Sequence, residues 1–479
     1  MLPYWTKVAA IRGGVDAMRQ GGQTFLPQFP DEGDNNYKYR LDNSKFTDIY
    51  SDIIENLASK PFSKEVSLSN DEVPEQIKAI VEDIDGSGNH LNVFADSVFF
   101  NGIHNAIDWV LVDYPPVPEG ATLADEKQMG ARPYWVRIAA LDMLWVESAV
   151  INGKEQFVYA KMYEPITRTN SSGQEETVDR VRILIRDRLE NGQYDKARFE
   201  VWEKGTGTAG WSLDASGPIS IGLIALVPFF TGRRDGSKWR IRPPMRNVAE
   251  LQVEHYQQET NLKSAKELTA FPTLTGNGVT PPVDEKGNPI MAPRGPSVTL
   301  YAPMGSDGKF GQWEILEPST TSLTFLSDEI DKTEKQMREL GRQPLTAGTS
   351  GITQVAAAFA SQKSASAVQA WAFMLKDCLE RAFVFTTMWL NVTLEPTVYV
   401  NTDFAIEIGE DKAPDALLTM RERNLLSTKT LWQEFKRRNI LSPEFDAEIE
   451  EERILEELPD GEDDEFTTPG PAKVEVVEE

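Results

Sequence analysis

Residues 243–270 read PPMRNVAELQVEHYQQETNLKSAKELTA, and residues 319–341 read STTSLTFLSDEIDKTEKQMRELG. Pro243-Pro244 can open a helix but not sit inside one, because a first-turn residue has no intrahelical N–H bond to lose. A helix is therefore expected from Met245 to Ala270, roughly 40 Å long at about 1.5 Å per residue. Its apolar stripe is thin: Leu251, Leu262, Ala265 and Leu268 share a face that Gln258 interrupts. The Gln, Glu, Lys, Asn and Thr around that stripe predict a helix wetted on much of its circumference. The second stretch starts at the hydroxyl cluster Ser319 to Ser322, any member of which can cap it, and stops at Gly341 with Pro344 just beyond. Leu323, Leu326, Ile330, Met337 and Leu340 give it a cleaner stripe, with Thr333 the one gap.

Between the two helices, residues 271–318 are rich in Pro and Gly, with strand-like pieces at Ser297 to Tyr301 and Gln312 to Leu316. Two narrow polar helices thus hold a small β-containing knob away from the body. After Gly341 comes RQPLTAGTSGITQ, a loop punctuated by Pro344, Gly348 and Gly351. An amphipathic pattern then runs from Val355 to Trp389, roughly 50 Å if continuous, with a polar small-residue patch at Ser361 to Ser366 where a bend is expected. Slim helices bury too little apolar surface alone, since helix stability in proteins comes mostly from packing. Identical copies standing side by side in a ring would supply the missing contacts.

This order of helix, knob, helix, loop and long helix resembles the portal proteins of tailed bacteriophages, and in wording a portal-like subgroup known as a phage domain of unknown function. The phrases that carry the resemblance are LVPFFTGRRDG at Leu226 to Gly236, PPMRNVAELQVEHYQQETNL at Pro243 to Leu262 and FPTLTGNG at Phe271 to Gly278. GGVDAMRQGGQTFLPQFPDE near the start and LWQEFKRRNILSPEFDAEIEEER near the end extend it over almost the whole chain. These motifs are architectural, and none is a catalytic signature.

The resemblance implies an α+β portal fold with a wing over 1–242, stem helices over 243–270 and 319–341, and a clip over 271–318. It further implies a tunnel loop over 342–354, a long kinked helix returning to the wing over 355–412, a crown over 413–458 and an acidic tail over 459–479. It also implies a homo-oligomer of about twelve copies at one capsid vertex of the virion, assembled in the host cytoplasm. Double-stranded DNA would pass through it during packaging and ejection. Its partners would be the terminase large subunit, a head-tail adaptor, the major capsid protein and scaffold. No cofactor, no membrane and no enzymatic activity are implied.

Composition agrees with a large folded chain. With 479 residues, 40% hydrophobic and 26% charged, it is long enough for two or three structural units. A lone Cys378 rules out a disulfide within the chain and any thiolate cluster, and His90, His104 and His255 lack metal-ligand spacing. No leader-like segment is visible at the start. The most apolar window, Val368 to Leu390, carries Lys376, Asp377, Glu380 and Arg381, which argues against a membrane span. The net charge of -26 comes from 49 basic and 75 acidic residues, and a net of -14 falls within 442–479. Such a chain is no tight DNA binder, yet a wall that repels phosphate suits a conduit, because DNA slides past it.

Read in order, Leu2 to Gln20 and Asp34 to Leu57 have helical spacing, as do Pro74 to Ile84 and Leu91 to Ile103. From Pro133 the pattern alternates, with strands at Val146 to Val150, Phe157 to Tyr163, Val181 to Asp187 and Ala197 to Glu203, and hairpin turns at Asn152-Gly153 and Asn191-Gly192. Ile219 to Phe230 reads as a buried run. GTGTAG at Gly205 to Gly210 matches a dinucleotide fingerprint in letters, but the strand-like Trp211-Ser212-Leu213 follows where a helix should start, so a hairpin tip is expected. No P-loop occurs. Pro396 to Ile408 reads as a strand pair, and Asp415 to Asn424, Thr428 to Asn439 and Pro443 to Leu458 as short helices.

The candidate functional residues follow from this layout. In the channel loop they are Arg342, Thr346, Gly348, Thr349, Ser350, Gly351 and Thr353, whose glycines give mobility and whose hydroxyls give weak neutral hydrogen bonds. On the stem, Lys263, Lys266, Lys332, Lys335 and Arg338 either face the lumen or pair with acids of a neighbouring copy. Adjacent positions such as Glu334 and Lys335 diverge by about 100° and cannot both face inward. In the clip, Phe271 and Trp313 would meet motor and adaptor. Two other readings compete: a tail-associated glycosidase or depolymerase using a carboxylate pair and tryptophan platforms, and a ring-forming adaptor or minor capsid protein. Light scattering separates the first of these: a ring of 53.7 kDa chains gives a particle above roughly 500 kDa, and a monomer or trimer favours the enzyme.

Overall fold

The computed structural model describes residues 1–70, 72–115, 128–169, 172–205, 210–236, 239–270, 273–279, 283–284, 286–288, 311–316, 320–341, 354–402, 404, 412–423, 425–437, 441, 445, 447, 450 and 453. The chain divides into two compact units, Met1–Ala405 and Ile406–Glu479.

The first unit opens with α1 (Leu2–Arg12) and α2 (Gly14–Gln20), where the spacing predicted one helix. Gly14, at φ +70°, makes the break, a conformation that costs a side-chain-bearing residue but not glycine. The single helix expected over Asp34 to Leu57 is likewise two, α3 (Asp34–Asp42) and α4 (Ile49–Ala58). Asp48 stops the first reading and starts the second helix, its carboxylate accepting from Ser51 N at 2.8 Å. β1 (Ser67–Leu68), α5 (Glu75–Glu82) and α6 (Leu91–Asn105) follow.

The next strand, β2 (Ile107–Asp113), has no alternating pattern, and it is buried on both faces. It forms the middle of an antiparallel sheet with β3 (Tyr134–Ile138) and β11 (Leu226–Phe230), in the order β11-β2-β3. Val110 and Val112 point into a core shared with Trp135, Val227 and Phe229 and with the helices, while Trp109 and Leu111 join a second core with Ile138, Phe157, Met162 and Leu184. Gly102 of α6 lies so close to β11 that a Cβ there would fall 2.3 Å from the Phe229 ring.

The second core is closed by a five-stranded antiparallel sheet of β4 (Met143–Ile151), β5 (Lys154–Tyr163), β8 (Arg180–Ile185), β9 (Arg198–Lys204) and β10 (Trp211–Pro218). Asn152 and Gly153, both at positive φ, turn β4 into β5. The small hairpin β6 (Ile166–Thr169) with β7 (Glu175–Val178) lies between β5 and β8 in sequence. Lys204 stands opposite Trp211, and Gly205 N donates to Gly210 O, so GTGTAG does join two strands of a hairpin. β12 (Arg233–Arg234) and β13 (Ile241–Arg242) lead into α7 (Arg246–Ala270).

β14 (Thr273–Asn277) and β15 (Gln312–Leu316) pair antiparallel with Thr273 opposite Leu316, and their principal contact is with each other. α8 (Thr320–Leu340) returns beside α7. α9 (Gln354–Leu390) is one helix through residues 361–366. It rests on the three-stranded sheet, with Trp135 Nε1 donating to Thr386 Oγ1 at 2.9 Å and Leu375, Leu379 and Phe383 wholly buried. Cys378 is buried in this face, where desolvation pushes its thiol up out of reach of ionisation. β16 (Val398–Tyr399) then pairs with β1. The molecule is thus of the α+β class.

In the second unit α10 (Lys412–Glu422) and α11 (Thr428–Arg437) are joined through Arg421, whose Nε donates to Thr428 Oγ1 at 2.9 Å. Ser427 caps α11, accepting from Thr430 N at 3.2 Å. Of the helix expected at Pro443 to Leu458 and the acidic tail, all but a few positions lie outside the described residues.

The polar face of α7 is not wetted as its composition suggested. Met245, Val248, Ala249, Gln252, His255, Tyr256, Glu259 and Thr260 are all buried. Gln252 Oε1 accepts from Ile49 N at 3.0 Å and Tyr50 N at 2.9 Å, and its Nε2 donates to Thr47 O at 2.8 Å. A helix leaves its first N–H groups without partners, and here a carboxamide 200 residues downstream satisfies two of them. Gln252→Leu should therefore lower the unfolding free energy by about 2 kcal/mol, since the buried Tyr50 N loses its partner and Ile49 N and Thr47 O keep only each other, at 3.2 Å; urea denaturation of the purified protein measures it, and an unchanged midpoint would contradict the assignment.

Candidate functional site

His255, Gln258 and Glu259, each with a buried polar atom that lacks a partner, lie on α7, beside α8. α7 is stitched to the body along its buried face: Tyr256 Oη donates to Ser44 Oγ at 3.0 Å, Gln257 Nε2 to Phe25 O at 2.8 Å and Lys263 Nζ to Asn43 O at 2.7 Å. α8 is held at its other end. Arg338 lies 3.1 Å from Asp52 on α4 and 3.0 Å from Glu334, and Met337 is wholly buried. Gly341 closes the helix where a Cβ would meet Ile53 Cγ2 at 2.5 Å.

Between them opens a cleft of ≈ 680 Å³ bordered by His255, Glu259, Lys263 and Lys266 of α7, by Asp331 and Glu334 of α8, and by Lys45 and Thr47. Glu259 is its most buried acid, at 6% exposure. Its Oε1 takes Lys45 Nζ at 2.7 Å and the Thr47 hydroxyl at 3.0 Å. Its Oε2 has no hydrogen-bond partner, and neither has His255 Nδ1, 3.7 Å away. Burial lowers the His255 pKa from its ordinary value; Glu259 and Glu334 oppose the shift and Lys45 adds to it. The ring is therefore neutral near pH 7.

The five stem candidates divide. Lys263, Lys332 and Arg338 are held within the chain, by Asn43 O, by Glu329 at 3.5 Å, and by Asp52 with Glu334. Lys266 and Lys335 are exposed and, among the described residues, in no ion pair. Glu334 borders the cleft while Lys335, one residue on, is exposed, the divergence expected of adjacent helical positions. Trp313 of β15 stands opposite Gly276, where a Cβ would sit 3.0 Å from the indole. Phe271 and the loop candidates Arg342, Thr346, Gly348, Thr349, Ser350, Gly351 and Thr353 lie outside the described residues.

Sequence reasoning missed Gln252, His255 and Glu259. The signal was present: positions 245, 248/249, 252, 255/256 and 259/260 recur with helical spacing, and Met245, Val248, Ala249 and Tyr256 mark that face as buried. Among the described residues no group of His, Cys, Asp or Glu is placed to hold a metal ion, and no helix is long and apolar enough to cross a membrane.

A family described as a domain of unknown function, DUF4055, matches residues 244–390, which runs from the proline before α7 to the end of α9. Two solved structures are similar: the neck of an empty GTA particle computed with C6 symmetry, at 9% identity and TM-score 0.40, and the neck of a native GTA particle computed with C12 symmetry, at 11% identity and TM-score 0.37. Each alignment covers 86% of this chain and 90% of the other. Comparison with curated proteins gives no match.

Neutral burial of His255 has a consequence in acid. Its folded pKa is lowered, so as pH falls through the ordinary histidine range of about 6.5 the unfolded chain takes up the proton first and stability declines. His255→Gln cannot take it up, so its melting temperature should fall less steeply than wild type between about pH 7 and pH 5. Asp108, whose pKa burial raises to about 7 against the pull of Arg137, acts in the opposite direction in both proteins and cancels from the comparison. Parallel profiles would contradict a neutral His255.

Proposed function

We propose that this chain is a portal-type subunit: about twelve copies form a ring at one capsid vertex, through which double-stranded DNA is packaged and ejected. The observation that supports this most is the paired helices α7 and α8, each anchored to the body by one end and joined through the β14–β15 pair, followed at once by α9. An enzyme core has little use for a helical hairpin carrying a small sheet at its tip. A conduit does, because such hairpins set side by side make a tube wall whose ends present repeated docking surfaces.

In this reading the work of the chain is geometric and electrostatic, not catalytic. The sheets and helices before α7 form the wing that faces the major capsid protein and scaffold. The β14–β15 region with Trp313 and Phe271 is the clip, offered first to the terminase large subunit and then to a head-tail adaptor. The second unit is the crown. Outside 442–479 the chain still carries a net charge of -12, the total of -26 less -14, which suits a wall that must not hold DNA, since a surface that pairs with phosphates would keep what it has to release. The short basic inventory of the stem fits the same demand: three of its five candidates are already engaged within the chain, leaving Lys266 and Lys335 for contacts outside it.

The stretch expected as the channel loop, Arg342 to Gln354, is assigned that role up to Thr353, since Gln354 opens α9. Deleting Ala347 to Gly351 should leave ring assembly intact and impair packaging or retention of DNA, measured as the fraction of filled heads in an assembly reaction. Wild-type filling by that deletion would refute the assignment.

A further inference from the structure

We propose that the cleft between α7 and α8 is a socket for an ammonium group, and that the group is Lys335 of the neighbouring copy. The inference rests on the ring reading above. It starts from two buried atoms that lack what they need. Glu259 Oε2 and His255 Nδ1 lie 3.7 Å apart with no hydrogen-bond partner, on side chains 6% and 2% exposed. The carboxylate oxygen is an acceptor. With the proton of the neutral imidazole taken to be at Nε2, Nδ1 is an acceptor as well. Two acceptors side by side suit a multiple donor; Glu267, Asp331 and Glu334 border the same opening, where Lys263 is already held by Asn43 O. An ammonium supplies three N–H donors and a positive charge on a flexible stem.

The chain's own lysines do not fill the place. Lys45 Nζ is on the other oxygen of Glu259, and Lys263 Nζ is on Asn43 O. Lys266, at the rim, is exposed. A buried carboxylate oxygen without a hydrogen bond is costly even when its twin oxygen is paired, and a donor from outside removes that cost.

Ring geometry selects the donor. Rotation about an axis that runs along the stem moves a residue sideways and leaves its height unchanged. Lys335 follows Glu334 by about 1.5 Å along α8 and about 100° around it, so it stands at the height of the socket on a different side of the same helix. It is exposed, and it forms no ion pair among the described residues. The cleft of one copy against Lys335 of the next is a heterologous, head-to-tail contact, the kind that closes into a ring when the rotation closes.

The test uses the full-length protein. Lys335→Glu and Lys335→Met should raise the protein concentration needed for half-assembly by tenfold or more, read by native mass spectrometry, while Lys335→Arg retains most of the assembly and all three keep the wild-type melting temperature of the dissociated chain. Rings built from mixed light and 15N-labelled copies, treated with a carbodiimide, should yield heavy–light peptide pairs joining Lys335 to Glu259 or Glu334. Rings that form as readily with Lys335→Glu and Lys335→Met and give no such pair overturn the contact and leave the ring reading standing. A wild-type chain that stays monomeric overturns both.

Discussion

The carboxamide of Gln252 bridging to the backbone of residues 47–50 is the interaction on which the rest of the first unit depends. It fixes the start of α4 and the middle of α7 in one step. From there a row of polar contacts, Tyr256 to Ser44, Glu259 to Thr47 and Lys263 to Asn43, carries α7 along the edge of the body. Buried polar groups of this sort gain little net stability over an apolar contact, but they tolerate few alternative registers because each lost partner leaves a desolvated group behind. The helix is thereby aimed, as the proposed ring would require of a helix meeting identical neighbours.

The three-stranded sheet β11-β2-β3 does the corresponding work inside. Its two buried faces separate a helical core from a β core, so α9 and the five-stranded sheet are held against opposite sides of one rigid layer. Arg137 donates to the wholly buried Asp108 at 3.2 Å on the helical side, and the two nitrogens of His104 are buried with aromatic neighbours, Phe100 and Tyr50, in place of hydrogen-bond partners.

Much of this was legible in the chain. α7, α8 and α9, the Asn152-Gly153 hairpin and the second half of the run expected to be buried over Ile219 to Phe230, of which Ile224 to Phe229 is buried, follow from proline and glycine placement and from periods of 3.6 and 2. What escaped did so for identifiable reasons. Gly14 and Asp48 split helices whose apolar spacing runs through the break, because a local backbone choice outweighs a periodic pattern. β2 escaped because a strand buried on both faces does not alternate. The polar face of α7 was read as solvated because composition reports what a side chain prefers and says nothing of whether a partner waits 200 residues away; burial of Gln252 depends on the main chain of residues 47–50, which no local pattern announces. For the site, the lysines were visible and their partners were not.

This changes the weight carried by oligomerisation in the account. α7 obtains its burial largely from its own chain, so a neighbouring copy is not needed to make it fold. In the proposed ring a neighbour would cover α8's outer side, where Phe325 is 63% exposed, and a cleft that ends in unpartnered acceptors. The central claim is that anchored hairpins of this kind stand around a hollow axis. Electron micrographs of the purified full-length protein, averaged in end-on view, test it most directly: the account predicts rings with an open centre and regular subunit spacing, and a field of compact single-chain particles at the same concentration would contradict it.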